Sequence, residues 1–266
     1  MWNLLRRHVA EDPLAHRSWP EVGQQMPLLQ GLSADEWQRL EARMRHFLAH
    51  KTFHGAHGFA LSSTRRLQIA AQACLPILNL DDNAYADWHE VVLYPRAFVS
   101  RDPWRDEVGL VHEGEWALAG QARHDGPILL AWPDARRSPE IDGWNVVIHE
   151  CAHKLDMLNG SANGFPPLHA GMQVADWTRA FEVGFADLNR RLDRGETVAI
   201  DPYAAENPAE FFAVLSEYFF ELPHVLHDAY PAIYEQLRQF YRQDPGARLA
   251  PVEHPPWSED ELASPP

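Results

Sequence analysis

The residues best equipped for chemistry lie in one short segment, Val146–Asp156, which contains His149, Glu150 and His153 in the pattern His-Glu-x-x-His. Histidines four positions apart lie one turn apart on the same helix face, so both imidazoles can reach one metal ion. The glutamate after the first histidine can project toward the water that a catalytic zinc activates, where a general base is needed. The apolar run before the motif is typical of a buried helix. The segment therefore predicts a catalytic zinc site.

A catalytic zinc needs a third protein ligand, and the sequence offers several candidates. The metzincin pattern would require Gly at 156 and His at 159, where this chain has Asp156 and Asn159. The remaining common source is a glutamate on a later helix. The candidates are Glu206, Glu210 and Glu217.

Glu210 and Glu217 are seven positions apart on a predicted helix that is apolar nearly all round and therefore buried. We favour Glu210 as the ligand. Glu217 is then an acceptor for the second N–H of a ligand histidine, or simply a buried, paired carboxylate. Glu210 is also the third helical position after Asn207, where a glutamate completes a capping box, so a capping role is an alternative. Glu206 lies in the preceding loop and is the weakest candidate.

Two further residues have candidate roles at this site. Tyr203 lies seven positions before Glu210, and its hydroxyl could donate a hydrogen bond to the oxyanion of a tetrahedral intermediate. A loop tyrosine packed on the core is an equally good interpretation. Asp156 follows His153 by one turn and is well placed to orient a ligand imidazole by accepting its other N–H.

A second pair of histidines, His54 and His57, lies in the Gly-rich segment 53–59. The pair lacks the carboxylate or cysteine companions of a second metal site. We therefore interpret them as solvated loop histidines. Cys74 is interpreted as an inert buried thiol, and Cys151 lies inside the predicted metal helix.

Composition excludes several classes of function. The chain has 266 residues, 45% of them hydrophobic, and a net charge of −15. This charge argues against direct binding to nucleic acid or to an anionic membrane. Two distant cysteines argue against a disulfide framework. The apolar part of residues 1–8 is too short for a signal peptide, and no run approaches the roughly 20 apolar residues of a membrane span. We expect a cytoplasmic protein.

The hydrophobic periodicity predicts an α+β chain. A capping box at Ser33–Glu36 begins a helix to about 48, and further helices are predicted over 61–75, 143–158, 177–192, 208–220 and 231–243. Short β-rich runs at 91–94, 116–120 and 127–132 predict a small mixed or antiparallel sheet. A small sheet before the metal helix is the layout expected of a zincin, whose edge strand lines the cleft and pairs with an extended peptide.

The ends of the chain differ from its middle. We expect a single zincin-like catalytic domain over 1–243 with a helical wrap at its N-terminal end. Residues 1–31 contain three prolines and are expected to be the irregular part of that wrap. Residues 244–266 are Pro-rich and acidic, which predicts a flexible or surface-lying tail. A lid over the cleft is a less favoured role for that tail.

Three segments carry a resemblance to a known family: His149-Glu150-x-x-His153-x-x-Asp156, Asp201-Pro202-Tyr203-Ala204-Ala205, and the helix 209–219. Together they resemble the Mlc titration factor A family of zinc peptidases, over nearly the whole chain. The metal site is also similar to that of the catalytic domain of anthrax lethal factor, which has a tyrosine seven residues before its ligand glutamate.

The resemblance implies one Zn²⁺ per chain, held by His149, His153 and Glu210, with Glu150 as general base and Tyr203 as oxyanion donor. It implies a gluzincin-type site and aminopeptidase-like cleavage of a peptide or protein substrate. In enterobacteria it also implies binding to the glucose repressor Mlc, a DNA-binding protein. The alternative is a non-catalytic regulatory protein that sequesters a repressor around a structural zinc; a closed site with four ligands would support it.

Overall fold

The N-terminal half places helices against a small sheet. A computed structural model describes residues 18–257, except 82, 101–103, 106–110, 113–115 and 125. The first helices are α1 (Ser18–Gln24), α2 (Ala34–His50) and α3 (Ser63–Cys74). The predicted capping box is confirmed: the Ser33 N–H donates to the Glu36 carboxylate at 2.8 Å, and the Glu36 N–H donates to the Ser33 hydroxyl at 3.3 Å. The prediction of irregular structure over 1–31 is wrong for residues 18–24, which form α1. Residues 1–17 lie outside the described residues.

The strands form one four-stranded mixed sheet and two small antiparallel pairs. They are β1 (Thr52–Gly55), β2 (Glu90–Tyr94), β3 (Phe98–Ser100), β4 (Trp104–Arg105), β5 (Val111–His112), β6 (Trp116–Leu118), β7 (Gly120–Ala122) and β8 (Ile128–Ala131). The main sheet has the order β1-β2-β8-β7. In it β1, β2 and β8 are parallel to one another, and β7 is antiparallel to β8. The pairs are β3 with β6 and β4 with β5.

Strand β1 is one of several elements that were not predicted from the sequence, and it belongs to the main sheet. Its glycines and histidines indicated a loop, but the segment pairs with β2 in parallel, with Phe53 opposite Val91 and His54 opposite Val92. Phe53 and Val91 are both buried. The tertiary partner therefore overrides the weak local preference of the segment.

The C-terminal half is mostly helical. Its helices are α4 (Trp132–Arg137), α5 (Val146–Asp156), α6 (Val174–Asp193), α7 (Pro208–Glu221), α8 (Pro223–Ala229) and α9 (Pro231–Tyr241). As predicted, α7 has Asn207 as its N-cap and Pro208 at its first position. All but two of the residues of α7 are buried, since it packs against α5, α8 and α9. The predicted α+β class, with a small mixed sheet and a helical C-terminal half, is confirmed.

Buried apolar side chains from both halves form one continuous core, between Trp19 and Tyr241 in the sequence. The core fits the expected single domain over 1–243, which stays a prediction. Cys74 and Cys151 are both buried and free. Within the described part of the chain, no helix combines the length and apolar character that crossing a membrane requires.

The C-terminal segment 245–257, expected to be flexible, is held against the body of the protein. Arg248 donates from Nη1 to the carbonyl oxygens of Leu28 at 2.6 Å and Gln30 at 2.8 Å. Trp257 forms an antiparallel bridge with Val198. These contacts agree with the surface-lying alternative for this part, and the flexible tail over 244–266 stays a prediction. Residues 258–266 lie outside the described residues.

Gly164 lets the loop after α5 approach the beginning of α7. Its φ is +76°, and a Cβ atom there would lie 2.3 Å from the carbonyl oxygen of Pro208. Any side chain would therefore meet both backbone strain and a backbone clash. Because Pro208 is the first residue of α7, Gly164 helps to set the position of Glu210 two residues later.

We predict that Gly164→Ala lowers the free energy of unfolding by about 1–3 kcal/mol, from strain and overpacking. It should also weaken metal binding, because α7 must shift to relieve the clash. Urea unfolding and metal titration measure the two effects. Gly171→Ala is the matched control, since a Cβ at Gly171 meets nothing within 4 Å. Equal effects of the two substitutions would contradict this role for Gly164.

Candidate metal centre

Helices α5 and α7 carry the candidate site, and Asn145 fixes how α5 begins. Its side-chain oxygen accepts the N–H of Ile148 at 2.9 Å and caps the helix. Its amide nitrogen donates to Glu221 Oε1 at 2.7 Å, and its backbone N–H donates to Glu217. Asn145 therefore joins the first turn of α5 to two carboxylates of α7. The sequence analysis missed it, although an Asn just before an apolar helical run is an N-cap signal.

The three expected metal ligands lie together. The Nε2 atom of His149 is 3.1 Å from Nε2 of His153 and 2.9 Å from Oε2 of Glu210, and the His153 Nε2 atom is 3.3 Å from the same oxygen. Within the described ranges, these residues form the one group of three or more His, Cys, Asp or Glu side chains that could hold a metal ion. Glu206 is exposed and outside the group.

The donor set fits a zinc ion. In a tetrahedral site with bonds of about 2.0–2.1 Å, neighbouring donors lie about 3.3 Å apart. The separations of 2.9, 3.1 and 3.3 Å between the His149, His153 and Glu210 donors are close to this value. Two imidazoles and one carboxylate are also the ligand types of known catalytic zinc sites, which keep a fourth position open.

Charge coupling inside the cluster is strong. Burial alone lowers the pKa of His149, but the Glu217 and Glu210 carboxylates outweigh it and hold that pKa well above its usual value. Burial alone raises the pKa of Glu210, but His153 and His149 hold it well below its usual value. The carboxylates and imidazoles therefore stabilise one another's charged forms in a desolvated site. The same carboxylates would stabilise a bound cation.

Glu217 contacts the ring nitrogen of His149 that faces away from the cluster. Its Oε1 atom is 2.7 Å from Nδ1 of His149, and its other oxygen accepts the backbone N–H of Asn145. This contact leaves Nε2 of His149 directed at the cluster. Glu210 does not complete a capping box: Asn207 caps α7 alone, and the Glu210 carboxylate contacts the two histidines.

Asp156 does not orient a ligand imidazole, contrary to the sequence-based expectation. Its carboxylate accepts the backbone N–H groups of Asn163, Gly164 and Phe165 at 2.7, 2.7 and 2.9 Å. Nδ1 of His153 is buried without a hydrogen-bond partner among the described residues. Asp156 therefore holds the loop that follows α5, because the chain turns back over the helix end and presents three amides to it.

Glu150 lies beside the three donors and is only 4% exposed. Burial raises its pKa to about 7, although His149 and His153 act in the opposite direction. Its Oε2 atom has no hydrogen-bond partner among the described residues. A carboxylate whose pKa lies near neutrality is suited to accept and return a proton.

Gly120 makes room for Glu150 and was missed by the sequence analysis. A Cβ atom on Gly120 would lie 2.3 Å from Oε1 of Glu150 and 2.6 Å from Cγ2 of Val146. Strand β7, which begins at Gly120, therefore contacts α5 closely. The available signal was a glycine in a strand-like run, which often marks such an approach.

Tyr203 approaches the cluster from the loop before α7. Its ring centroid is 6.1 Å from that of His149, at an interplanar angle of 35°. The residue is 42% exposed, yet desolvation of the hydroxyl, together with the Glu210 and Glu150 carboxylates, raises its pKa far above the usual value. The phenol therefore stays protonated and remains a donor. Asp201 caps its 3₁₀ turn by accepting the Tyr203 N–H at 2.8 Å.

His54 and His57 do not join the metal cluster. The Nε2 atom of His54, in β1, is 3.8 Å from Oε1 of Glu90, and both side chains are about half exposed. His57 adopts φ 51° and its ring packs against Tyr94 at 5.9 Å. Their neighbours are protein side chains of the sheet edge.

Comparison with known proteins identifies the family. A model of the family described as glucose-regulated metallo-peptidase M90 matches residues 1–242. The chain belongs to this family. Over 246 residues it is 43% identical to Mlc titration factor A of Salmonella gallinarum, with 90% of this chain and 92% of that protein covered. It is 42% identical, with the same coverage, to Mlc titration factor A of Salmonella typhi. The family resemblance drawn from the sequence is thereby confirmed.

Family membership agrees with the donor geometry. A metallopeptidase requires protein ligands for a metal, and the described residues bring His149, His153 and Glu210 within 4.8 Å of one another. The match over residues 1–242 includes every residue of this group and Glu150. The family match and the donor geometry therefore indicate the same class of metal-binding protein.

We predict that Glu217→Gln weakens zinc binding roughly 10- to 100-fold, because a carboxylate that orients a metal-binding histidine raises its basicity. Competition titration with a chromophoric chelator measures the affinity. Asp156→Asn is the contrasting variant: it should lower the free energy of unfolding by about 1–3 kcal/mol through its three lost charge-assisted bonds. Its zinc affinity should change little. Loss of zinc in Asp156→Asn with no loss in Glu217→Gln would reverse the two roles.

Proposed function

We propose that this protein is a zinc-dependent peptidase of the gluzincin type, with zinc held by His149, His153 and Glu210. The observation that supports this most directly is the convergence of these three donors beside a nearly inaccessible Glu150. A zinc ion bound there supplies Lewis-acid polarisation of the scissile carbonyl and acidifies a water molecule. Family membership supports the metallopeptidase class.

Glu150 is the proposed general base. Its buried carboxylate, beside the three donors, can take a proton from the attacking water and then give it to the leaving amine. Gly120 leaves room for the carboxylate, because a side chain there would occupy the position of Oε1. The proton transfer therefore depends on a glycine of the sheet as well as on α5.

Tyr203 is the proposed oxyanion donor. Its raised pKa keeps the hydroxyl protonated, so it can donate a hydrogen bond to negative charge that develops on the carbonyl oxygen. Removing a single such donor typically costs about 10²- to 10³-fold in rate. Its exposure of 42% is compatible with contact to a substrate that arrives from solvent.

We propose that the substrate binds as an extended peptide beside β7. This strand is at one end of the described sheet order and lies against α5. An extended peptide can bind alongside the strand at the end of a sheet, and β7 leads from Gly120 past Glu150. Aminopeptidase-like removal of N-terminal residues is the form of this activity that the family resemblance implies.

A regulatory role is the second part of the proposal. The Salmonella relatives carry the name Mlc titration factor A, and this chain spans 92% of the first of them. We therefore propose that it binds a DNA-binding repressor similar to Mlc, in the cytoplasm where such a repressor acts. The purely regulatory alternative, with a structural zinc, is less favoured because the cluster in the described residues has three protein donors and not four.

The Glu150→Gln variant tests the general base. It keeps the shape of the side chain but removes the proton acceptor, so we expect peptide cleavage to fall at least about 10²-fold. Zinc content, measured by inductively coupled plasma mass spectrometry, should stay at one per chain. Cleavage of a peptide library is the activity readout. Wild-type rates in this variant would exclude the proposed mechanism.

The Glu210→Ala variant tests the third ligand. Loss of one of three protein donors should reduce zinc affinity by several orders of magnitude and abolish cleavage. Glu206→Ala, four positions earlier and exposed, is the matched control and should retain both. Full zinc content in Glu210→Ala would show that another residue completes the site.

A further inference from the structure

Trp257 connects the C-terminal segment to the loop that carries Tyr203. Its indole N–H donates to the hydroxyl oxygen of Tyr218 at 3.0 Å. Its backbone also pairs with Val198, with the Trp257 N–H donating at 2.8 Å and its carbonyl accepting at 3.3 Å. Trp257 is therefore attached both to α7, through Tyr218, and to the chain five residues before Tyr203.

Tyr218 passes this contact on toward Tyr203. Its hydroxyl oxygen also accepts the backbone N–H of Asp201 at 3.1 Å, so both acceptor positions of the oxygen are used. Asp201 in turn accepts the Tyr203 N–H at 2.8 Å. Three consecutive hydrogen bonds therefore link the indole of Trp257 to the backbone of Tyr203.

Packing around this chain of bonds is restrictive. Tyr218 is fully buried, and the ring of His254 lies 5.9 Å from its ring. A phenol fixed by two donors in a buried place has little rotational freedom, so the Asp201 amide that contacts it is also fixed. Tyr203 itself is 42% exposed, and its side chain contacts Glu210 and His149. The bond to Asp201 fixes the backbone from which this side chain extends.

We propose that Trp257 is a positioning residue for Tyr203: through Tyr218 and Asp201 it holds the 3₁₀ turn 202–205 so that the Tyr203 hydroxyl faces the metal cluster. This inference rests on the proposed function of Tyr203 as oxyanion donor. A donor that acts on the transition state must already be in place before the charge develops. The hydrogen bond from Trp257 to Tyr218 thus contributes to the rate of peptide cleavage, although Trp257 does not contact the substrate.

The test begins with Trp257→Phe, which keeps an aromatic ring and the backbone pair with Val198 but removes the indole N–H. We expect kcat to fall roughly three- to tenfold, the value of one neutral hydrogen bond, with KM nearly unchanged. Tyr218→Phe removes the acceptor of this bond and of the Asp201 N–H as well, so it should lower kcat at least as much. The matched control is Trp19→Phe, since the indole of Trp19 donates to Glu41, on α2, at 3.1 Å.

A double-mutant cycle separates positioning from general destabilisation. In a Tyr203→Phe background, Trp257→Phe should have no further effect on kcat, because the hydroxyl that it positions is gone. Equal fold-losses with and without the Tyr203 hydroxyl would overturn the proposal. If the wild-type protein cleaves peptide, equal kcat values for Trp257→Phe and Trp19→Phe would also overturn the proposal.

A second readout does not need zinc or activity. Hydrogen–deuterium exchange of the zinc-free protein should show faster exchange over residues 198–206 in Trp257→Phe, because the Asp201 and Tyr203 amides lose their support. Trp19→Phe should match the wild type there. Unchanged exchange over 198–206 in Trp257→Phe would overturn the proposal. Absence of cleavage in the wild type, with faster exchange in the variant, would instead refute the proposed enzyme function and with it the catalytic benefit of this contact.

Discussion

The site depends on the pairing of His149, from α5, with two carboxylates of α7, Glu210 and Glu217. Burying a carboxylate costs several kcal/mol unless it is paired and hydrogen-bonded. Helix α7 is mostly apolar, so these glutamates are tolerated only where α5 and its N-cap, Asn145, present imidazoles and a backbone N–H group. The same contacts that make the two helices compatible therefore place the metal donors. A substitution at one of these positions therefore affects both the metal donors and the packing of α5 on α7.

Local patterns in the sequence were sufficient to predict the elements of the site. The spacing of His149 and His153 and the Pro208 start of α7 require only helical periodicity. The choice between Glu210 and Glu217 could not be made from spacing, because residues seven apart share one face. It depends on which turn of α7 lies beside His149 and His153 of α5. That position is set by long-range contacts such as Gly164 with Pro208.

The wrong and missing predictions have a common physical cause. Asp156 was expected to face an imidazole because it is one turn from His153, but a returning loop offers it three backbone amides. Strand β1 was taken for a loop because its partner β2 lies far along the sequence. In each case the strongest partner comes from a distant segment. Patterns within a single element show which groups need partners but not which distant segment supplies them.

The two parts of the proposed machinery differ in how they are held. The metal donors come from α5 and α7, whose buried faces and shared carboxylate contacts leave little freedom. Tyr203 comes from a short 3₁₀ turn whose position is set by Asp201 and, beyond it, by Tyr218 and Trp257. Metal binding requires ligand atoms at closely defined positions, so rigid helices are suitable elements to carry them. Tyr218 lies on α7, the helix that also carries Glu210, so the turn and the metal donors share one support. In the proposed machinery the C-terminal segment therefore acts on Tyr203 through α7, without itself contacting a metal donor.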